Sequence, residues 1–436
     1  MHDMKEETYV AALEISSSKI LGAVGAMSTD GTLRVIAIEQ ESTRDAVRYG
    51  IIQNPEEVAK RVGRIIDRLN THPAVAPRKI KGVFVGLAGR SMRSVASDVQ
   101  LYFPEETEIT EQILKQLKAD AKSVVLDSNV EIIETVPRSY QVDGLDTSSP
   151  KGAVGKTISA VYDLIVGRTE LRRNIGRALP ERTGLHIYGY VVVPMATASL
   201  ILSDEEKRLG CMLVDFGAET TTVSIYRKGA LCYYATLPLG GRNITRDITT
   251  LSILEETAEE IKCESGKAIQ KDTPSTLNIS GIKLSDISNH VVARAEEIVA
   301  NVIQQIYYAG LKEKDLPAGI VCIGAGSLLT GILELISEQS GLNARLGHLP
   351  PFIQPQEARA KRHDAIQIAS LLYAGARQGD VQCLEIPQRE TKPADEIPDP
   401  PTPDPEPQKM GGFFKKFTSK LTNMFAPPAD DESELD

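Results

Sequence analysis

The sequence predicts an α/β protein made of two similar lobes, with a subdomain inserted into the first lobe and an amphipathic helix near the C-terminus. A pattern of three short strands near residue 10 recurs about 200 residues later. A mixed unit of helix and strands separates the two patterns, and a Pro-rich acidic stretch precedes a terminal run of Phe and Lys residues. A chain of 436 residues, 42% of them hydrophobic, is long enough for two or more domains with their own cores.

The first lobe is predicted to begin with residues 8–83 and to be completed by residues 166–205. Apolar runs bounded by small polar turns predict its strands, and apolar residues at helical spacing predict its helix. These elements are strands at 9–15, 19–26 and 33–39 and a helix at 55–70. Between the two parts, residues 84–165 are predicted to form the inserted subdomain. Its elements are a helix at 109–125 and strands at 130–136 and 158–166.

The second lobe is predicted to span residues 206–385 and to repeat the first. Its elements are strands at 211–216, 221–226 and 230–237, a long helix at 290–311 and an apolar strand at the start of 320–327. In both repeats an acid, Glu14 or Asp215, ends the first strand just before a turn of small residues. Two matched meanders with matched acids predict two similar halves that face a shared cleft.

The two turns have the composition of a polyphosphate site. Ser, Thr and Gly turns at 16–18 and 217–220 offer closely spaced N–H groups and hydroxyls, which suit phosphate oxygens. Glu14 and Asp215 are placed to orient Mg²⁺ through water. Each turn alone is also explained by a plain hairpin, so the hypothesis depends on their pairing.

Two further elements extend this hypothesis. In residues 320–327 an apolar strand runs into a small-residue turn and then a helix, which lets a nucleotide approach the backbone and a helix N-terminus. Glu259 and Lys262 lie three residues apart on one helix face, where the alternative is a surface ion pair of little energetic value.

The end of the chain predicts a tethered membrane anchor. Residues 386–410 are rich in Pro and acids and should form an extended linker, and residues 426–436 are an acidic tail that serves solvation. Residues 411–425 should form an amphipathic helix that is too short to span a bilayer but suited to lying in its anionic surface. The alternative is that this helix binds a groove on a protein partner instead of the membrane. The residues that would contact the membrane are Phe413, Phe414, Lys415, Lys416, Phe417, Lys420, Leu421, Met424 and Phe425.

Composition argues against several other classes of function. A net charge of −10 does not favour nucleic-acid binding. The five Cys residues have no C-x-x-C spacing, the charged first residues do not resemble a secretory signal, and no apolar run reaches the length of a membrane span, so a cytoplasmic protein is expected. The six His residues show no metal-ligand spacing, and no G-x-S-x-G element occurs.

In their order along the chain, the four elements resemble the phosphate-1, phosphate-2, ribose and adenosine elements of the actin, Hsp70 and sugar-kinase superfold, whose halves are RNase H-like. The closer resemblance, over residues 8–385, is to the bacterial cell-division family FtsA, in which the insert is an SHS2-like subdomain. This resemblance also rests on segments 150–156, 194–198 and 239–248 and on the linker with its terminal helix. A Walker A motif is rejected because Pro150 stands where its first glycine is needed.

The resemblance implies ATP and Mg²⁺ as ligands, with Glu14 and Asp215 holding the metal through water. The implied nucleotide-binding residues are Glu14, Ser16, Ser17, Ser18, Lys19, Asp215, Gly217, Ala218, Glu219, Thr220, Thr221, Gly241, Glu259, Lys262, Gly324, Ala325, Gly326 and Ser327.

This chain departs from the family pattern at several of these positions. Glu14 and Ser16 replace an Asp and a Gly, and Ala325 replaces a Gly. Glu219, with Ala218, replaces glycines and would place a negative charge near phosphate. Val193 stands where an acid helps to orient the attacking water in related ATPases, which an apolar side chain cannot do. The departures predict ATP binding with weak or absent hydrolysis and leave no residue assigned as catalytic.

As a function, the resemblance implies a cell-division adaptor at the cytoplasmic face of the inner membrane. Such proteins polymerise at the division site, tether FtsZ through its C-terminal peptide and recruit later division proteins. Two alternatives share the superfold. A sugar or acetate kinase would need a catalytic acid, and a pilus-assembly protein is not expected to carry the linker and terminal helix.

Overall fold

The computed structural model describes residues 7–269, 278–279, 281–379 and 381–386. The chain divides into two units, residues 1–387 and 388–436, and the described residues all belong to the first. The predicted linker from residue 387 onward, the amphipathic helix at 411–425 and the acidic tail lie outside the described residues.

The first lobe starts with a three-stranded meander. Its elements are β1 (Thr8–Ile15), β2 (Lys19–Met27), β3 (Leu33–Ser42), β4 (Val47–Arg48), β5 (Ile51–Ile52), α1 (Pro55–Thr71), β6 (Lys79–Ile80) and β7 (Gly82–Leu87). Strands β1 to β3 pair antiparallel, and β1 pairs with β7 in parallel. Helix α1 begins where the Asn54 side chain accepts the N–H of Glu57 and Pro55 takes the first helical position. Its apolar face, which includes Val58, Val62 and Ile65, is buried in the lobe core.

The inserted subdomain follows, before the chain returns to the first lobe. The insert contains β8 (Arg93–Glu108), α2 (Glu111–Ala121), β9 (Val130–Val142), β10 (Leu145–Thr147) and β11 (Val154–Arg168). The returning segment contains α3 (Glu170–Ala178), α4 (Pro180–Thr183), β12 (His186–Val192), α5 (Val193–Ile201) and α6 (Asp204–Leu209). The insert has its own small core, in which Leu117 of α2 packs with Ile158 and Tyr162 of β11.

The second lobe opens with another meander. Its first elements are β13 (Cys211–Phe216), β14 (Thr221–Arg227), β15 (Ala230–Leu237), α7 (Gly241–Thr249) and α8 (Glu255–Ser265). The next are β16 (Asn278–Ile279), β17 (Ile282–Lys283), α9 (Leu284–Tyr308), β18 (Ile320–Ile323), α10 (Ile332–Ser340) and β19 (Ala344–Leu346). The chain closes with β20 (Ile353–Pro355), α11 (Ile366–Ala376) and β21 (Leu384–Glu385).

The two main sheets repeat one strand order, which confirms the predicted duplication. Among the described residues, the first-lobe sheet runs β12-β7-β1-β2-β3-β20, and the second-lobe sheet runs β10-β9-β11-β8-β15-β14-β13-β18-β19. In each, an antiparallel meander continues from its first strand into two parallel strands, β7 and β12 or β18 and β19. This is the actin-like two-lobed fold. Within each sheet the parallel strands end at the same edge. The turns that follow β1 and β13 lie at these two edges, and both line the cleft between the lobes.

The insert is joined to the second lobe by a sheet contact. Arg93 of β8 pairs with Ala235 of β15, which makes the insert strands part of the second-lobe sheet. A second contact joins the same parts of the molecule. Arg138 of β9 donates from Nε to Oδ2 of the buried Asp163 at 2.7 Å, and its guanidinium group also donates to the carbonyl of Cys232 in β15.

Some element boundaries differ from the prediction. The predicted helix at 109–125 is shorter, and that at 290–311 lies earlier along the chain. Strand β8 was missed. Nine of its sixteen residues face solvent, whereas Val95, Val99, Leu101 and Phe103 pack on the small insert core, so the strand has no continuous apolar run.

Two parts of the predicted domain division also need correction. The prediction assigned residues 206–385 to the second lobe, but β20 pairs with β3 and α11 packs on β1 and β2 of the first lobe. Helix α11 is apolar around most of its surface, so it must be buried on most sides, and it is buried against the first-lobe sheet. Residues 84–87, predicted to lie in the insert, belong to β7 in the first-lobe sheet.

Within the described residues, no helix combines the length and the apolar character needed to cross a bilayer.

Candidate functional site

A cleft of about 1570 Å³ lies between the two lobes and brings most of the predicted site residues together. Those that line it are Glu14, Ser16, Ser17, Ser18, Lys19, Asp215, Gly217, Ala218, Glu219, Thr220, Gly241, Glu259, Lys262, Gly324, Ala325 and Gly326. Thr221 and Ser327 lie behind this lining. Thr221 is buried and its hydroxyl donates to the carbonyl of Leu239.

The turn between β1 and β2 is closed by Ser16. Its N–H and its hydroxyl both donate to the carbonyl of Lys19, at 3.0 and 2.9 Å. Ser16 does not adopt a positive φ, so the glycine of the family pattern is not required here. The Lys19 ammonium lies 2.5 Å from the Asp364 carboxylate. Burial alone would raise the pKa of Asp364, but Lys19 and Arg362 hold it below its usual value.

Glu14 ends β1 with a carboxyl group that lies in the cleft wall. Its Oε2 atom is inaccessible to solvent and has no hydrogen-bond partner among the described residues. Burial raises the pKa of Glu14 to about 7; Lys19 opposes this shift, whereas Asp215 and Asp364 add to it. An unpartnered carboxyl oxygen beside other carboxylates is suited to a cation, either directly or through its water.

Asp215 occupies the matching position at the end of β13. Its Oδ1 accepts a hydrogen bond from the Gln367 amide of α11 at 3.1 Å. Burial raises the pKa of Asp215 to about 6, and the Gln367 hydrogen bond opposes that shift. The two acids that the sequence pairs by position therefore line one cleft, and the charge of Asp215 contributes to the raised pKa of Glu14.

The turn after Asp215 is bound to the start of helix α7. The Gly217 N–H donates to the carbonyl of Thr220, while the carbonyls of Gly217 and Ala218 accept the N–H groups of Gly241 and Arg242 at 3.0 and 2.7 Å. These bonds orient the turn carbonyls toward α7. A Cβ atom at Gly217 would lie 2.8 Å from the carbonyl oxygen of Thr220, so the turn is too tight for a larger residue there.

The Glu219 side chain occupies a different environment from the one predicted. Only 1% of it is exposed, and its carboxylate lies among the guanidinium groups of Arg48, Arg242 and Arg246, at 2.9, 3.3 and 3.0 Å. Its Oε2 also accepts the N–H of Tyr49 at 2.7 Å. Burial would raise the pKa of Glu219, but the Tyr49 N–H, Arg48 and Arg242 lower it below its usual value. The expected uncompensated negative charge is therefore neutralised.

The third element contains a close approach of backbone to the Asp215 side chain. Gly324, at the end of β18, has φ +81°, and a Cβ atom there would lie 2.5 Å from Asp215 Oδ1. The residues that follow form a short 3-10 helix, Ala325–Leu328, and the α-helix α10 begins only at Ile332. The expected α-helix N-terminus is thus displaced. The Ser327 hydroxyl donates to the Gly324 carbonyl and contacts His363 Nε2 at 3.0 Å, which holds the turn from behind.

The fourth element is more than the surface ion pair considered as its alternative. Lys262 Nζ contacts both carboxylate oxygens of Glu259, at 2.7 and 2.6 Å, and also the Gly241 carbonyl and the Thr245 hydroxyl. Only 13% of the Lys262 side chain is exposed. Because these partners lie on α7 and α8, the lysine holds the two helices together at the cleft.

Val193 is the first residue of helix α5 and is 3% exposed at the cleft wall. Its side chain is close enough to the first-lobe sheet that a Cβ atom on Gly86 would lie 2.8 Å from Val193 Cγ2. The position that the family resemblance assigns to water orientation is thus apolar and tightly packed.

Several cleft residues were not assigned a role from the sequence. Gln367 reaches the site from helix α11 and Asp364 from the short 3-10 turn His363–Ala365 just before it, whereas Arg48 and Tyr49 reach it from the β4–β5 hairpin. Arg242 lies within the segment 239–248 that the resemblance includes, so its sequence context could have indicated it. The others have no local pattern, because their contacts join residues more than 150 positions apart.

The described cleft fits a magnesium-bound nucleoside polyphosphate. Two buried carboxyl groups, one with an orphaned oxygen, are suited to a divalent cation. Two small-residue turns suit phosphate oxygens, and the Gly324 to Gly326 backbone allows a flat group to approach closely. Glu259 offers carboxylate oxygens as acceptors for hydroxyl groups, whereas the ammonium of Lys262 is already paired with Glu259, Gly241 and Thr245.

Two family models match this chain. The model described as cell division protein FtsA matches residues 212–363, and the model described as the SHS2 domain inserted in FtsA matches residues 89–166. The first match contains the second-lobe elements of the cleft, and the second contains nearly the whole insert. The two matches therefore describe different parts of one architecture.

Curated relatives match over most of the chain. The cell division protein FtsA of Porphyromonas gingivalis is 29% identical over 344 residues, which are 77% of this chain and 71% of the relative. FtsA of Bacillus subtilis is 28% identical over 353 residues, or 78% of each chain. FtsA of Escherichia coli K12 is 25% identical over 358 residues, which are 78% of this chain and 83% of the relative.

Among solved structures, the PilM–PilN type IV pilus biogenesis complex contains a chain of similar fold. It aligns with a TM-score of 0.60 and 16% identity, covering 85% of this chain and 98% of that one. At this level of identity the similarity concerns the fold, and it agrees with the two-lobed architecture described above.

Proposed function

This chain belongs to the FtsA family of cell division proteins, and from that premise we propose that it is an ATP-binding adaptor that tethers FtsZ to the cytoplasmic membrane. The observation that carries the proposal is the coexistence in one chain of the two family matches with the paired-turn cleft and a basic amphipathic segment. The family matches support membership of the family, the cleft supports a nucleotide site, and the composition of the segment supports an anchor.

ATP with Mg²⁺ is the proposed ligand of the cleft. Glu14 and Asp215 would hold the magnesium ion through water, which neutralises two carboxyl groups whose ionisation burial disfavours. The turns at 16–18 and 217–220 would receive the phosphates, and the Gly324 turn would lie against the adenosine. When bound, the ion would screen the charge of the phosphates.

Hydrolysis is proposed to be slow or absent. A side chain that orients water must offer a hydrogen-bond acceptor within reach of it, and Val193 offers none. ATP would then act mainly by stabilising one arrangement of the lobes, and that arrangement would determine how subunits contact each other in a polymer.

The membrane and FtsZ contacts are proposed to depend on polymerisation. A single helix formed by residues 411–425 would bind an anionic surface weakly and reversibly. Linking many such helices in one polymer raises their combined affinity without any new contact, because each later binding event becomes intramolecular. The polymer would thereby hold FtsZ, and the later division proteins it recruits, at the inner face of the membrane.

The decisive test of the tether is a pull-down with the C-terminal peptide of FtsZ, using a scrambled peptide of the same composition as control. The proposal predicts retention of the full chain by the native peptide alone. Equal retention by both peptides, or by neither, would contradict the tether and leave a pilus-assembly or kinase role to be tested.

The membrane anchor is tested by flotation with anionic liposomes. The full chain should float, and a chain lacking residues 411–436 should stay at the bottom of the gradient. A chain in which Lys415, Lys416 and Lys420 become Gln should float less on anionic liposomes and be unaffected on neutral ones. Flotation of the truncated chain would show that the anchor lies elsewhere.

A further inference from the structure

The two phosphate-binding turns are connected by a hairpin of the first lobe. Strands β4 and β5 pair antiparallel, with Tyr49 and Gly50 at the tip. The Tyr49 N–H donates to Glu219 Oε2 at 2.7 Å, and the next N–H, of Gly50, donates to Ser17 Oγ at 2.9 Å. Two consecutive amides thus reach the turn of the second lobe and the turn of the first.

The tip conformation is closely determined by its neighbours. Tyr49 and Gly50 have φ values of +51° and +76°, the left-handed values that a two-residue hairpin turn needs. A Cβ atom at Gly50 would lie 2.7 Å from the Cα of Gly89, so a larger residue cannot replace it without a shift of backbone. The guanidinium groups of Arg48 and Arg90 lie over the Tyr49 ring, at 5.9 and 5.0 Å from its centre. Because the tip is held in this way, its two amides have fixed directions.

Glu219 joins this hairpin to the second lobe by charge as well. Its buried carboxylate contacts Arg48 of the first lobe and Arg242 and Arg246 of helix α7. The exposed acids Asp45 and Glu255 also approach Arg48 and Arg242, at 3.6 and 3.7 Å, but each lies on the same lobe as its arginine. Among these acids, Glu219 alone bridges the cleft.

A role in stability alone does not account for this arrangement. Buried ion pairs contribute little net stability, because desolvation of the charges offsets their attraction. A glycine at this position would avoid that cost. The presence of buried ionic groups is better explained by a role in fixing one geometry among several.

Accepting the proposed ATP site, we propose that Glu219 is a positioning residue, and that with the 49–50 tip it sets the spacing of the two turns to suit a triphosphate. The Gly50 N–H occupies an acceptor position on Ser17 Oγ, so the hydroxyl hydrogen of Ser17 is free to donate into the cleft. A γ-phosphate that lies between the turns needs both of them at the correct separation. Binding of a diphosphate, which lacks the γ-phosphate, depends less on the distance between the two turns.

The test compares Glu219→Gln, which keeps the shape of the side chain and removes its charge, with Asp45→Asn as the matched control. The control removes an equal charge beside the same arginine but does not bridge the lobes. ATP and ADP affinities are measured by calorimetry with Mg²⁺. We expect the variant to bind ATP about tenfold more weakly, a typical effect of losing a charge-assisted hydrogen bond, with ADP affinity changed less than about threefold. The control should keep the wild-type ratio of the two affinities.

A second measurement needs no nucleotide. In the nucleotide-free protein, hydrogen exchange of the amides in residues 47–50 should be about tenfold faster or more in Glu219→Gln than in the wild type and the control, because the Tyr49 N–H loses its charged acceptor. Arg48→Met provides another route if Glu219→Gln folds poorly. It leaves the Tyr49 hydrogen bond in place but removes the charge contact between the lobes, and it should reduce the preference for ATP by a smaller factor.

The outcomes separate the two proposals. If the wild type binds neither nucleotide, the proposed ATP site is wrong, and the exchange measurement still decides whether Glu219 fixes the tip. If the wild type prefers ATP and Glu219→Gln keeps both that preference and slow exchange at 47–50, the positioning role is wrong. Equal weakening of ATP and ADP, with lower thermal stability, would make Glu219 a structural residue only and also overturn the inference.

Discussion

Replacing Glu14 with Gln should change how the stability of the nucleotide-free protein depends on pH. The substitution preserves the size of the side chain and removes its titration. Burial raises the pKa of this carboxyl from its usual 4.5 to about 7, with Lys19 opposing the shift and Asp215 and Asp364 adding to it. The folded protein therefore keeps a proton on Glu14 in a pH range where the unfolded chain has lost it.

The size and sign of the effect follow from this difference. Between pH 4.5 and about 7 the folded state binds one more proton than the unfolded state, so the free energy of unfolding falls as pH rises. A shift of about 2.5 pH units at about 1.4 kcal/mol per unit gives about 3.5 kcal/mol in total. The stabilising contribution is complete below pH 4.5 and is lost above about pH 7, where both states are ionised.

Urea unfolding followed by circular dichroism, in EDTA and without nucleotide, measures the effect. The quantity to compare is the free energy of unfolding of Glu14→Gln minus that of the wild type, which should rise by about 3 kcal/mol between pH 4.5 and 7.5. Taking the difference removes groups that titrate alike in both proteins. Replacement of the exposed Glu181 by Gln serves as the control for removing a carboxyl group at the surface. A flat difference for Glu14→Gln would show that its carboxyl is solvated and ionised near its usual pH, and the description of the cleft wall would be wrong.

Three further predictions concern the cleft. Asp215→Asn should lower ATP affinity in the presence of Mg²⁺ by about 100-fold, measured by calorimetry, because it removes a charge next to the proposed ion; an unchanged affinity would exclude Asp215 from the site. Gly324→Val should destabilise the protein by about 2–4 kcal/mol in urea unfolding, because a side chain there meets Asp215 and its positive φ is strained; a stability equal to wild type would contradict the turn geometry. The purified protein should release phosphate from ATP only at trace rates, and robust turnover would show that Val193 does not have the consequence assigned to it.

Much of the fold could be predicted because its signals are local. Strands at 211–216 and 230–237 were placed correctly from their apolar runs and bounding turns, and the matched acids Glu14 and Asp215 indicated the duplication. The missed strand β8 alternates exposed and inward-facing side chains from Val95 to Phe103, as strands with one solvated face do. That pattern was available in the sequence but has no continuous apolar run.

The environment of individual side chains could not be predicted in the same way. From the sequence, Glu219 was expected to repel phosphate, because its three arginines lie either on another lobe or on the facing helix. The return of residues 353–385 to the first lobe was missed for the same reason. The apolar character of helix α11 indicates burial but does not say against which sheet it is buried.

The pairing of Arg93 with Ala235 gives the insert an unusual mechanical position. By chain connection the insert belongs to the first lobe, from which it leaves after Leu87 and to which it returns at Glu170, but by hydrogen bonding it extends the sheet of the second. If the lobes rotate about the cleft, the insert should travel with the second lobe, and the two connecting segments must absorb the motion. Gly89, with φ +157°, lies in the first of them and Gly167 just before the second. In a polymer of the kind proposed above, a neighbouring subunit that contacts both the insert and the first lobe would experience an angular change set by the cleft, so that the proposed nucleotide could alter the curvature of the polymer without altering any residue at its interfaces.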